Sequence, residues 1–149
     1  MSETTPDFDF VILADRAEAI NGKLYMMGGG WEAIALRAPG DVAAFTIAVG
    51  VTVPWLATNV EHHLELRLED ADGRALTTLG FNFAAGRPVT IPQGVSQRLI
   101  FALPVQFAFP AAGAHVIACT LTERERRVPF QVNIASSTPK LLPPMQSFG

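Results

Sequence analysis

The sequence predicts an all-β chain: a two-sheet antiparallel β-sandwich, immunoglobulin-like or related, of eight to nine strands. Apolar residues alternate with polar or small ones over several long runs, and because successive strand side chains point to opposite faces, such alternation lines one face of each strand. Turn-forming residues separate the runs at the short spacing of a sandwich. Twelve glycines and eleven prolines are scattered along 149 residues, a distribution that punctuates strands and breaks most helices.

Taken in order, residues 1–7 are polar and acidic and read as an N-terminal tail, 8–135 as the sandwich domain, and 136–149 as a Pro-rich C-terminal tail. Asp15–Ile20 is the one stretch with a helical composition. Asn21-Gly22 follows at once, and both residues tolerate the positive φ of a tight hairpin, so the stretch reads as an irregular strand or a single turn. Gly28-Gly29-Gly30 then marks a bulge or a bend between sheets. Phe45, Ile47, Val49, Val51 and Val53 alternate with Thr46, Ala48, Gly50 and Thr52; Leu64, Leu66 and Leu68 alternate with His63, Glu65, Arg67 and Glu69. Asp70–Gly73 closes a hairpin between that run and Ala75–Phe83. Leu99, Phe101, Leu103, Val105, Phe107 and Phe109 share one face, and Pro110–Gly113 links them to His115–Thr122. Arg124, Arg126 and Arg127, interleaved with Glu123 and Glu125, read as a solvated hairpin tip before Val128, Phe130, Val132 and Ile134. Pro104 and Pro129 each remove a ladder donor and place their strands at an edge or a bulge.

Composition excludes several functions. A net charge of −3 argues against nucleic acid, which needs a basic face to neutralise phosphates. Cys119 is the single cysteine, so no intrachain disulfide forms. The apolar run Phe10–Ala14 is too short for a signal core, and nothing approaches a membrane-spanning length; the expected location is the cytoplasm, with no membrane partner. Charged residues are only 17% against 49% hydrophobic, which means either heavy alanine usage or an apolar surface that meets a partner.

Each candidate site has a structural alternative. The glycine run lacks the helix start and the Lys-Ser/Thr of a phosphate cradle. Trp31 and Trp55 sit beside loop signals, where they either cap the core, line an interface or stack on a ligand such as a sugar. His62 and His63 face opposite ways on one strand and cannot readily share a metal; Asp70 and Asp72 belong to a turn. Cys119, alternating with Ile117 and Leu121, is expected buried. No catalytic residue, metal site or cofactor is expected. The face of Thr46, Ala48, Gly50 and Thr52 is flat, small and uncharged, and points to a second layer: the tail with Leu141, Leu142 and Phe148, or a second subunit.

Three segments together resemble a bacterial family of small uncharacterised proteins grouped as a domain of unknown function. They are Asn21-Gly22-Lys23-Leu24-Tyr25 running into Gly28-Gly29-Gly30-Trp31; Val53-Pro54-Trp55 with Asn59; and Gly86-Arg87-Pro88 leading to Pro92-Gln93-Gly94 and Gln97. The resemblance spans about Phe8 to Ile134, implies a β-sandwich and transfers no activity. The expected function is therefore a non-enzymatic interaction module, self-associating or bound to a protein partner. The rivals are a small-ligand or carbohydrate module using Trp31, Trp55, Asn59 and Arg87, and an enzyme of a type the motifs do not reveal.

Overall fold

The alternating runs form nine strands in two facing sheets. The computed structural model describes residues 4–135, and within them lie β1 (Asp7–Ile20), β2 (Lys23–Gly29), β3 (Ala33–Leu36), β4 (Val42–Val53), β5 (His62–Glu69), β6 (Ala75–Phe83), β7 (Gln97–Ala108), β8 (Gly113–Leu121) and β9 (Arg124–Ile134), with one turn of 3₁₀ helix at Trp55–Ala57. The four-stranded sheet runs β2-β1-β4-β7 and the five-stranded sheet β3-β9-β8-β5-β6. Among the described residues no helix is long and apolar enough to cross a membrane.

Register explains the core. In the four-stranded sheet Leu13, Ile47 and Leu103 lie opposite one another, as do Val11, Val49 and Phe101, and Phe8, Val51 and Leu99. These rows face Leu64, Leu66 and Leu68 of β5, Ile117, Cys119 and Leu121 of β8, and Phe130 and Val132 of β9 in one buried cluster. Burial pushes the Cys119 thiol up to about 12, so it packs as a small neutral hydrophobe.

The hairpins fall where turn chemistry puts them. Asn21 (φ 51°) and Gly22 (φ 74°) join β1 to β2. Asp70 Oδ1 accepts the backbone N–H of Asp72 and of Arg74, at 3.0 and 2.9 Å, and so holds the β5–β6 turn. Pro104 lies on β7, an edge strand. Pro129 lies on the stretch of β9 that β3 does not cover, since β3 pairs only with Gln131–Ile134.

Several expectations are corrected. The sheets are not wholly antiparallel: β3 runs parallel to β9. The chain crosses between sheets just before β3, with Gly30 N–H on Leu13 O at 2.8 Å in one sheet and Gln131 N–H on Glu32 O at 2.8 Å in the other. No hairpin ties β3 to β9, so nothing forces antiparallel pairing. Asp15–Ile20 is neither a turn nor irregular: it continues β1 against β2. Strand β1 starts inside the segment read as a tail, with Pro6 buried and Asp7 opening the strand. The arginine-rich segment is strand rather than hairpin tip; Arg124–Arg127 pair with β8, and the turn is at Thr122 (φ 51°). The C-terminal tail lies outside the described residues, and with it Leu141, Leu142 and Phe148.

Candidate functional site

Of the residues proposed from sequence as a ligand site, three come together and one does not. Trp55 follows β4 and Arg87 follows β6. The Arg87 guanidinium carbon stands 4.2 Å from the centroid of the Trp55 ring, while its Nε donates to Thr58 Oγ1 at 2.6 Å and its Nη2 to Trp55 O at 3.1 Å. Thr58 Oγ1–H donates in turn to Trp55 O at 2.6 Å. Asn59, in the left-handed region at φ 59°, bonds through its N–H to Ala85 O at 2.7 Å, and Gln97 Nε2 donates to Gly86 O at 2.7 Å. These groups tie the β4–β5 loop to the β6–β7 loop. The motif residues therefore form a clasp, and one face of Trp55 is already occupied by a cation. What remains beside Trp55 is a shallow depression of about 350 Å³ that Gln93, Gly94 and Ser96 border.

Trp31 belongs to the other end of the sandwich. Its ring meets Phe45 edge-on at 5.6 Å and Phe130 at 6.3 Å. Phe45 and Val53 are eight residues apart on β4, so the two tryptophans are separated by about 26 Å of strand. Trp31 Nε1 is buried without a hydrogen-bond partner among the described residues.

The histidines are held by ordinary structural bonds. His62 is buried, bonds Ala57 O through Nε2 at 2.8 Å and packs against Phe83. His63 points outward to the Asn82 side chain. Nδ1–H of His115 donates to Gly113 O at 2.9 Å. Among the described residues no three His, Cys, Asp or Glu side chains gather as a metal ion requires.

The two outward faces of the sandwich differ sharply. On the five-stranded sheet, Arg67 bonds Glu65 at 2.9 Å and Glu69 at 3.3 Å, and Arg127 bonds Glu69 at 2.8 Å and Glu125 at 3.1 Å. This is a charge ladder across β5, β8 and β9, open to solvent at Arg127 and Glu125 and buried at Glu69. The hydrogen bond from Arg127 is the main influence holding the Glu69 carboxyl below its usual value; burial opposes it, and Arg67 adds to it. A carboxylate depressed in the folded state contributes stability above its unfolded value, near 4.5, and loses that contribution as pH falls through the folded value. Glu69→Gln is therefore expected to flatten the fall in melting temperature below about pH 4.5. Melting curves across an acid series check this, and an unchanged acid slope would contradict it.

The middle of the outward face of the four-stranded sheet is apolar, and Arg16 and Glu18 border it beyond Thr46. Its register gives three cross-strand rows: Phe10–Gly50–Ile100, Ile12–Ala48–Ala102 and Ala14–Thr46–Pro104. No charge lies in them. They are bounded at one end by Asp9 and Arg98, paired at 2.6 Å. Burial raises the Asp9 carboxyl's pKa, but hydrogen bonds from Thr52 and Arg98 outweigh it and hold the pKa below the ordinary value.

The small-residue face named from sequence is part of these rows but is not itself free surface. Thr46, Ala48 and Gly50 are buried and Thr52 half-buried. A Cβ on Gly50 would overlap the Phe10 ring, so glycine here admits an aromatic side chain from the neighbouring strand. What the face presents outward are Phe10, Ile12, Ile100 and Ala102, all half-buried. Sequence reading missed these four. Their signal was present: Phe10–Ala14 is apolar without interruption, and Ile100 and Ala102 break the polar half of the β7 alternation. Runs apolar at both parities are covered on both faces.

No curated protein matches the sequence. A family model, described as a family of unknown function (DUF6941), matches residues 9–133, which takes in every strand except the last residue of β9 and the first two of β1. The chain belongs to that family.

Proposed function

We propose that the chain is a non-enzymatic assembly module that binds a second copy of itself through the outward face of its four-stranded sheet. The observation that carries this reading is the uncharged surface of Phe10, Ile12, Ile100, Ala102 and Pro104 around the buried centre of β4. A sheet face open to water normally carries polar groups, as the opposite face of this sandwich does. A two-fold contact uses the same patch on both subunits and needs no other partner. The shortage of charged residues in the composition fits a chain with one face withdrawn from water.

Light scattering after size exclusion tests it. The wild-type chain is expected to elute as a dimer at micromolar concentration, and Ile100→Lys as a monomer with an unchanged circular dichroism spectrum. Ile100 is half-buried and sits on the edge strand β7, so a lysine there can reach water. A wild-type mass equal to one chain at micromolar concentration would overturn the reading.

A further inference from the structure

A second candidate site lies on the side of the sandwich, adjoining the proposed assembly face at Ile12. β2 pairs with β1 only from Ala14 onward, and β3 pairs with β9 only from Gln131 onward. Phe8–Leu13 and Arg124–Phe130 therefore lack an outer neighbour on the same side, and the surface between them is hollowed into an open cleft of about 560 Å³. Its walls are Val11 and Leu13 from β1, Val128 and Phe130 from β9, and His115 from β8, with Trp31 closing one end.

The backbone of the cleft is poorly suited to an added strand. Gly30 N–H already occupies Leu13 O at 2.8 Å, and Arg126 Nη2 donates to Phe8 O at 3.3 Å. Gln131 N–H points away from β8 to reach Glu32 O, so Pro129, two residues earlier, turns its donorless nitrogen to the same edge.

The side chains favour a different occupant. Arg126 precedes Val128 on the inward face of β9, and its guanidinium carbon lies 5.9 Å from the centroid of the Phe8 ring. It bridges the sheets at the end opposite Trp31. Its one hydrogen bond among the described residues is that to Phe8 O, which leaves most of its fork of donors open. The acidic group on the cleft wall, Glu32, is at the Trp31 end; Asp9, the other nearby carboxylate, is hydrogen-bonded to Arg98 and also feels the charge of Arg126. The cleft thus has an apolar body and an acidic end, and Arg126 stands beyond its lining, one inward position past Val128, at the end away from Trp31.

We propose that this cleft binds an amphipathic carboxylate, a medium-chain alkyl acid, with its carboxylate on Arg126 and its chain lying between Val11, Val128 and Phe130 toward Trp31. The inward row from Arg126 to Phe130 is about 13 Å long, which suits a chain such as that of decanoate. Arginine binds carboxylates through paired, charge-assisted bonds, and Glu32 disfavours the reverse orientation.

Titration calorimetry on the full chain with decanoate, and with decanol as the uncharged match, tests the assignment. Decanoate is expected to bind saturably at one per chain and to shift the Trp31 emission, with decanol weaker by about tenfold or more. Arg126→Gln is expected to bring decanoate down to the level of decanol, and Val128→Trp, by filling the cleft, to remove both. Absence of saturable decanoate binding, equal affinity for the two probes, or undiminished binding to Arg126→Gln would each overturn the proposal. Should Arg126→Gln not fold, the two probes on the wild-type chain still decide. Ile100→Lys is expected to bind decanoate as the wild type does, so failure of the assembly reading and failure of this one are separate results.

Discussion

Phe109→Ala is expected to destabilise the chain by about 3–5 kcal/mol, a large part of the 5–15 kcal/mol typical of a domain. Phe109 is 0% exposed and lies just past β7, where the chain leaves the four-stranded sheet for β8. Its ring meets Phe107 at 5.0 Å, His115 at 5.1 Å and Phe130 at 6.2 Å, all near perpendicular. Through Phe130 it joins Phe45 and Trp31. Truncation removes the buried ring area and three edge-on contacts together, and the cavity lies among rigid aromatic neighbours held by two sheets, which limits collapse. Phe109 O also accepts Gly40 N–H at 2.7 Å, a bond the substitution leaves in place, so the loss is one of packing. Urea unfolding monitored by circular dichroism measures it; a loss under about 1 kcal/mol would mean that the site repacks.

Ala48→Arg is expected to prevent folding rather than to separate subunits. Ala48 is the centre of the middle row on the apolar face, yet it is 0% exposed, flanked by Ile12 on β1 and Ala102 on β7. A long side chain there must displace both neighbours, at about 1–3 kcal/mol for overpacking, and places a charge where no carboxylate answers it, which costs several kcal/mol more. The sum approaches the whole stability of the domain. Loss of the cooperative thermal transition is the expected result. A folded, monomeric Ala48→Arg would show instead that the rows beside it are loose enough to let the side chain out to water. Ile100→Lys, one row along and half-buried, remains the variant that reads assembly.

Much of the architecture was legible because its causes are local. The alternation of Phe45–Val53 and Leu64–Glu69 assigned strand and inward face in one step. Asn21-Gly22 and Asp70–Gly73 marked hairpins because their backbone preferences belong to the residues themselves. The glycine run was readable as a sheet crossing because a following strand excluded a phosphate loop. The candidate site was only half legible. Trp55, Asn59 and Arg87 lie in two neighbouring loops, but the hydrogen bonds that turn them into a clasp join residues 29 positions apart, Thr58 to Arg87. Trp31 looked equivalent to Trp55 by composition and lies at the opposite end.

The sequence by itself determined that this protein is a β-sandwich and which side chains face inward. Those properties follow from a two-residue period and from turn residues whose φ preferences are intrinsic. Only the tertiary structure decided which strands are neighbours: that β3 lies parallel to β9, that Phe10 covers Gly50, that Arg126 reaches across to Phe8. These contacts join residues as many as 118 positions apart, and nothing in the local pattern of either segment specifies the other. The apolar face and the cleft both arise at that level, the first from the register that aligns β1, β4 and β7, the second from where one strand ends and its neighbour does not follow.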